Sequence, residues 1–194
     1  MSKRIALLSA AALGALALTA AIIAPAGAQD KTMKGEMSGE KTVMVGGAAM
    51  FPSKNIIQNA VHSKDHTTLV AAVKAAGLVE TLEGKGPFTV FAPTNAAFGK
   101  LPAGTVDTLV KPENKASLTK ILTYHVVPGR LEASSLTEGR KLKTVEGEEL
   151  TVRASGGKVM IIDAKGGSST VTIPNVNQSN GVIHVVDTVL MPAS

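Results

Sequence analysis

The hydrophobic pattern is most continuous in residues 88–98, which contain three of the five aromatic residues of the chain. Residues 88–92 are almost wholly apolar, aromatic or β-branched, a composition typical of a strand that is covered on both faces. After this strand, Thr94 or Asn95 can accept a hydrogen bond from the free amides at the start of a helix. The stretch therefore predicts a buried strand followed by a short helix beginning at Ala96.

Apolar residues recur at helical spacing before this strand. The first such segment covers residues 53–61. A second begins after Asp65, a candidate N-cap, and ends at Gly77, which can adopt the left-handed conformation that closes a helix. The sequence thus predicts two helices upstream of the buried strand.

A longer helical pattern follows the strand. A short helix is predicted over residues 106–110, and the next begins near residues 112–114. Its apolar stripe ends at His125, so the imidazole is predicted to point inward, with Tyr124 beside it. The stripe is formed by Leu118, Ile121 and Leu122.

The period changes from helix to strand at Val126. Short apolar segments separated by Gly-rich or Asn-rich turns predict a meander of strands. Because the helices precede the strands, the pattern favours an α+β fold in which the strands near residues 88 and 182 lie centrally. The predicted strands cover residues 126–127, 142–145, 150–153, 158–162, 170–173 and 182–190.

The beginning of the chain is typical of a secretory signal. A basic pair precedes an apolar run over residues 5–24, and residues 26–28 read Ala-Gly-Ala, a recognised cleavage pattern. We therefore predict a signal peptide over residues 1–28 and a protein that is secreted or periplasmic. The alternative is an uncleaved anchor, because the run approaches the ~20 residues that span a bilayer.

Residues 29–42 are polar, mixed in charge and without apolar periodicity, which predicts a flexible linker. Methionines in and after this segment could supply thioether ligands for Cu(I). No Cys or His lies among them, so a plain linker is favoured. These methionines are Met33, Met37, Met44 and Met50.

Composition excludes several classes of function. The chain lacks cysteine and carries a formal net charge of only +5, with basic residues scattered along it. An exported domain without disulfides must depend on its core for stability. Nucleic-acid binding has little support, since neither a basic stripe nor interleaved aromatic residues are present.

Candidate catalytic and metal-binding groups are few. The sequence holds no G-x-S-x-G elbow, cysteine nucleophile or H-E-x-x-H motif, so an enzyme is not predicted. His62 and His66 have the spacing of a helical metal pair. A cap at Asp65 would place His62 before the helix, so two surface histidines are favoured over a metal site.

Residues 88–98, the pair Tyr124-His125 and residues 180–192 together resemble the fasciclin (FAS1) domain family. The resemblance covers about residues 43–192, with the motifs in the family's order. It implies an α+β FAS1 fold, a β-sandwich of short strands flanked by several N-terminal helices. The matching residues, called the motif residues below, are Phe88, Thr94, Asn95, Phe98, Tyr124, His125, Asn180, Gly181, His184 and Asp187.

The resemblance also implies a function without a reaction or a cofactor. Fasciclin domains act in adhesion, so the expected partners are extracellular matrix, cell envelope, protein or polysaccharide. Some family members carry carotenoids, and a carrier of an apolar small molecule is the alternative. Asn177 begins a glycosylation pattern, Asn-Gln-Ser, that only a suitable host would use.

The histidines within the motifs invite two interpretations. His125 and His184 both lie in apolar patterns, where a hydrogen-bonded structural imidazole is more common than a binding group. We expect His125 to hold a buried group, with residues 180–187 as its neighbour. If the ring of Tyr124 lies at the surface, it should serve binding more than stability.

Overall fold

The structure is a computed structural model that describes residues 41–193. Helices occupy mainly the first half of this range, and strands the second. Short 3-10 turns at Lys64–His66, Pro112–Asn114 and Ala133–Ser135 connect them. The helices are α1 (Ile56–Ala60), α2 (Thr67–Ala76), α3 (Val79–Glu83), α4 (Asn95–Gly99), α5 (Thr105–Leu109) and α6 (Lys115–Tyr124).

The strands form a separate hairpin and one large sheet. The hairpin pairs β1 (Val43–Val45) with β2 (Ala48–Met50). The sheet has seven strands in the order β4-β3-β9-β8-β7-β6-β5. Its strands are β3 (Phe88–Pro93), β4 (Val126–Pro128), β5 (Lys141–Lys143), β6 (Glu149–Ser155), β7 (Lys158–Ile162), β8 (Ser168–Gln178) and β9 (Gly181–Val186).

The sheet is mixed and folds back on itself. β3 and β9 run parallel, from the pair Phe88 and Gly181 to the pair Pro93 and Val186, whereas the other neighbours are antiparallel. Just after β5, the Val145 amide donates to the carbonyl of Val126 over 2.8 Å. The two edges of the sheet therefore meet.

The interior is divided by the sheet into two cores. The helix-side core lies between the helices and the sheet, and the strand-side core lies within the folded sheet. Side chains alternate along β3, so that Val90 and Ala92 join the helix-side core while Phe91 joins the strand-side core. The prediction of a strand buried on both faces is confirmed.

The α+β class and the order of helices before strands are also confirmed. The predicted cap at Asp65 is wrong, because residues 64–66 form a 3-10 turn and α2 begins at Thr67. Gly77 ends α2 with φ 74°, as predicted. Its neighbour Leu78 donates its amide to the carbonyl of Val73 over 3.0 Å, which closes the last turn.

Two stretches of strand differ from the prediction. β8 extends to Gln178 because irregularities on either side of Ile173 let it continue past its bends. β9 stops at Val186, although Val189 and Leu190 remain buried. The β1–β2 hairpin was not predicted, because each of its strands has only three residues.

Candidate functional site

The first family motif joins the central strand to two helices. The Thr94 hydroxyl accepts the amide of Ala97 over 3.2 Å, so Thr94 caps α4 as one of the two predicted candidates. Asn95 instead caps α2, since its Oδ1 accepts the Thr68 amide over 3.0 Å. Its Nδ2 donates to the carbonyl of Lys64 over 2.8 Å. Thr94 and Asn95 therefore supply acceptors to different helices.

The aromatic residues of this motif are anchors of the same region. Phe98 is buried in the helix-side core. Phe88 is half-buried and packs against that core, while its amide donates to the carbonyl of Asn180 over 3.0 Å. Gly181 must lie there without a side chain, because a Cβ would collide with the Phe88 carbonyl oxygen.

Tyr124 is fully buried in the strand-side core. Its hydroxyl accepts the amide of Ala164 over 2.8 Å and lies 3.4 Å from the carbonyl of Glu149, to which it donates. Burial raises the pKa of Tyr124 to about 12. We expected Tyr124 to serve binding only if its ring lay at the surface, and the ring is buried.

His125 points inward, as predicted, and both ring nitrogens are occupied. Nδ1 donates to the carbonyl of Ile121 over 2.8 Å, and Nε2 accepts the amide of Leu190 over 3.0 Å. This neighbour lies beyond residues 180–187, so the expected partner segment is wrong. Burial lowers the pKa of His125 to about 4, and the neutral imidazole matches both bonds.

The second family motif fastens several loops to the sheet. Asn180 accepts the Ile56 amide over 3.1 Å and donates to the carbonyls of Leu82 and Gly84 over 2.7 and 2.9 Å. One side chain thus holds the start of α1 and the end of α3. Because the amide is buried and uses both its oxygen and its nitrogen, it leaves no unpaired polar atom.

His184 holds a bend in β8. Its Nε2 donates to the carbonyl of Leu131 over 2.7 Å, and its Nδ1 accepts the amide of Asn175 over 3.4 Å. Asn175 has φ 56°, a left-handed conformation that asparagine tolerates better than most residues. The ring also stacks on Phe91 with centroids 5.7 Å apart. Burial lowers the pKa of His184.

Asp187 is more exposed than the other groups of this motif. Its Oδ1 accepts the Thr170 amide over 2.8 Å and the Thr188 hydroxyl over 3.0 Å, and Lys100 lies 3.7 Å from its Oδ2. Burial alone would raise the pKa of Asp187, but these three partners outweigh it and lower the pKa. The carboxylate joins β8 to the end of β9.

The structure does not pair His62 with His66. His62 is exposed, whereas His66 is buried, so the expectation of two surface histidines is wrong for His66. Among residues 41–193 no group of three or more acidic, histidine or cysteine side chains could hold a metal ion.

The proposed methionine ligands are not gathered either. Met44 is exposed on β1, and Met50 is buried in the helix-side core. Met33 and Met37 lie outside the described residues, as do the predicted signal peptide and most of the linker. Within residues 41–193, no helix has the length and hydropathy needed to cross a membrane.

A small apolar cavity lies in the helix-side core. Its volume is about 40 Å³, and residues of β1, β2, α1 and α2 close it against the sheet. His66 lines it, with Nδ1 2.9 Å from the Ser63 hydroxyl. Nε2 has no hydrogen-bond partner in the described part of the chain. Burial lowers the pKa of His66, and the backbone of Ala92 and the charge of Asp65 partly offset this effect.

Comparison with known proteins identifies the class to which this fold and these motifs belong. The Fasciclin domain family matches residues 64–192, and the chain belongs to that family. It resembles Protein sll1483 of Synechocystis sp., with 50% identity over 79% of this chain and 82% of the relative. It also resembles Immunogenic protein MPB70 of Mycobacterium bovis, with 36% identity over 99% of this chain and 98% of the relative.

A solved structure shows the same fold. It is the FAS1 domain pair of the insect cell adhesion molecule Fasciclin I, which matches 73% of this chain with a TM-score of 0.65 and 19% identity. This chain spans 52% of that domain pair. The predicted FAS1 fold is therefore confirmed.

Proposed function

We propose that this chain is an exported, non-enzymatic module that binds extracellular matrix, cell envelope or protein partners through its surface. Membership of the fasciclin family supports adhesion, and the matched domain pair comes from a protein named as a cell adhesion molecule. The observation that carries the proposal is that four of the motif residues, Tyr124, His125, Asn180 and His184, are buried inside the domain. They brace the scaffold and leave recognition to other side chains.

The polar motif side chains support this interpretation by their contacts. His125, Asn180 and His184 are buried, and the ring or amide atoms of each form hydrogen bonds with backbone groups. A general acid or base must reach the proton that it transfers. A neutral imidazole held between two backbone groups has no nitrogen left for a substrate.

Partner capture from the native source tests this function. The purified protein is immobilised and exposed to envelope extract or culture medium of its own host, and retained molecules are identified by mass spectrometry. We expect a matrix, envelope or protein component to be retained by the folded protein and lost from a urea-unfolded control. If the protein retains no partner and the free protein turns over a small molecule, its function is catalysis and not adhesion.

Export is the part of the proposal that rests on residues 1–28. The basic start, the apolar run and the Ala-Gly-Ala pattern support cleavage before Gln29. Intact-mass measurement of the exported protein should show a chain that begins at Gln29. Recovery of the full chain from the membrane fraction would instead indicate an anchored protein.

The carrier function is a second candidate because the helix-side cavity has an apolar lining. At about 40 Å³ it is far smaller than the ~150 Å³ cavity that admits benzene. A carotenoid could enter only if the β1–β2 hairpin and α1 moved away. Organic extraction of the purified native protein should yield no stoichiometric pigment or lipid, and a coloured extract would favour the carrier.

A further inference from the structure

Strands β5–β8 present all their charged side chains to solvent. The side chains that face inward are apolar, such as Leu142 and Leu150, and belong to the strand-side core. The charged side chains alternate with them and are exposed. They are Lys141, Lys143, Glu149, Arg153 and Lys158. Glu149 lies 3.3 Å from Lys141, so the face keeps an excess of positive charge.

Two apolar side chains lie in the middle of this charged face. Met160 and Ile162 are half-buried, and neither packs against the helix-side or the strand-side core. The sheet register places Met160 between Arg153 and Thr170. Ile162 lies between Thr151 and Ser168. Apolar side chains on an open sheet face, with polar and charged ones beside them, resemble the centre and rim of a protein interface. We call Met160, Ile162, Lys141, Lys143, Arg153 and Lys158 the outer face.

A groove borders the outer face where β7 and β8 separate. Their pairing ends at Met160 and Thr170, and beyond it a groove of about 530 Å³ opens beside Lys158. The groove does not suit strand addition. Pro174 in its wall has no amide to donate, and the irregularities of β8 bend its backbone away from regular pairing. A partner must therefore contact side chains.

We propose that the outer face is the docking surface of this module and that its partner is an acidic protein segment with an apolar side chain between carboxylates. This inference rests on the proposed function, because it names the surface that the interaction module uses. The apolar side chain would cover Met160 and Ile162. The carboxylates would lie opposite Arg153 and Lys158, where charge steers association and fixes the register.

The apolar centre favours a protein partner over an acidic polysaccharide. A polysaccharide of uronic acids can pair with Lys143 and Arg153, but it gains little by covering Met160 and Ile162. Burying these two side chains removes apolar area from water, and interface energy concentrates in such central contacts. Binding of an acidic protein segment should therefore depend on Met160 and Ile162, whereas binding of an acidic polysaccharide should not.

Binding to defined polyanions tests the proposal. The probes are a glutamate–tyrosine copolymer, poly-glutamate and polygalacturonate, each titrated into the purified protein by calorimetry at low and physiological salt. We expect the copolymer to bind most tightly. Arg153→Glu with Lys158→Glu should weaken copolymer binding about tenfold or more, since two attractive contacts become repulsive.

Matched variants distinguish binding at the outer face from a general effect of net charge. Lys74→Glu with Lys111→Glu makes the same change in net charge at exposed positions away from the sheet, and it should alter copolymer binding less than about twofold. Met160→Thr with Ile162→Thr should weaken copolymer binding several-fold and leave poly-glutamate binding unchanged. If that variant does not fold, the two charge variants decide.

Three results would overturn the inference. They are equal losses in the two charge variants, polygalacturonate binding as tight as copolymer binding, and no binding of any probe. Partners captured from the native source distinguish a failure of this inference from a failure of the proposed function. If outer-face variants still retain them, the docking surface is wrong while the interaction module stands. If the unaltered protein retains none, the proposed function itself fails.

Discussion

The two cores lie on opposite sides of β3 and differ in the size of their buried side chains and in the cavity that one of them holds. The strand-side core contains Tyr124 and Phe91, the largest fully buried side chains in the described chain. The helix-side core holds the cavity of about 40 Å³ and the unpaired Nε2 of His66. Close packing makes a core sensitive to small changes in volume. The strand-side core should therefore be the less tolerant.

The motif residues stabilise different parts of the domain on the two sides of the sheet. His184 and Tyr124 connect loops to the strand-side core through backbone hydrogen bonds. Asn180 and Asn95 connect the helices to one another and to the sheet. Both sets act within the scaffold.

Removing a large side chain from the strand-side core should have the largest effect. Phe91→Ala leaves a hole beside His184 and should lower the free energy of unfolding by about 3–5 kcal/mol. Val90→Ala, one residue earlier, opens toward the existing cavity and should cost about 2 kcal/mol or less. Urea unfolding of both variants checks this. Equal losses would contradict the difference between the cores.

Acid should destabilise the protein through its buried histidines. The pKa of His125 is about 4 in the folded protein, and its ordinary value is 6.5. Between these two pH values the unfolded chain therefore binds a proton that the folded chain does not bind. The stability that it contributes is complete above pH 6.5 and falls as the pH drops toward 4. His125 alone accounts for up to about 3 kcal/mol of this loss. His66 and His184 act in the same direction.

The matched variant for the acid effect is His125→Ala. At pH 7 it should lose about 1–3 kcal/mol, because the Leu190 amide is left buried without an acceptor. It should then lose less on acidification than the parent does. Urea titrations of both proteins at pH 7 and pH 4.5 measure this, and parallel pH profiles would show that His125 is not the responsible group.

Adding one methylene to each core should have small effects of opposite sign. Val73→Ile extends into the helix-side cavity and should raise the free energy of unfolding by about 0.5–1 kcal/mol. Val152→Ile adds its methylene at a fully buried position of the strand-side core and should lower the free energy of unfolding by about 1–3 kcal/mol. Thermal unfolding of the pair provides the measurement. The same sign in both variants would argue for equal packing.

The sequence predicted the central strand because its apolar run is continuous and has a capping residue directly after it. It failed at Asp65 because the oxygen that caps α2 comes from Asn95, 27 residues beyond the Thr68 amide that it accepts. No local pattern reveals such a bond. The Gly46-Gly47 pair between two short apolar runs was a signal for the missed hairpin, since it suits a tight turn.

The motif residues could be recognised in the sequence, but their surroundings could not. Tyr124 and His125 are adjacent, yet Tyr124 enters the strand-side core while His125 lines the helix-side cavity. This separation depends on where α6 ends over the sheet. Met160 and Ile162 lie in an apolar run that predicts only a strand, and the sheet register places them on the face turned away from the strand-side core.

Tyr124, His125, Asn180 and His184 are buried within the scaffold, and we propose that recognition takes place elsewhere on the surface. Tyr124 tests it most directly, because it is the only tyrosine in a chain without tryptophan. Ultraviolet titration of the folded protein therefore reports this one phenol. The buried phenol should ionise only at a pKa of about 12. Reversible ionisation near pH 10 in the folded protein would place the ring in solvent and contradict the claim.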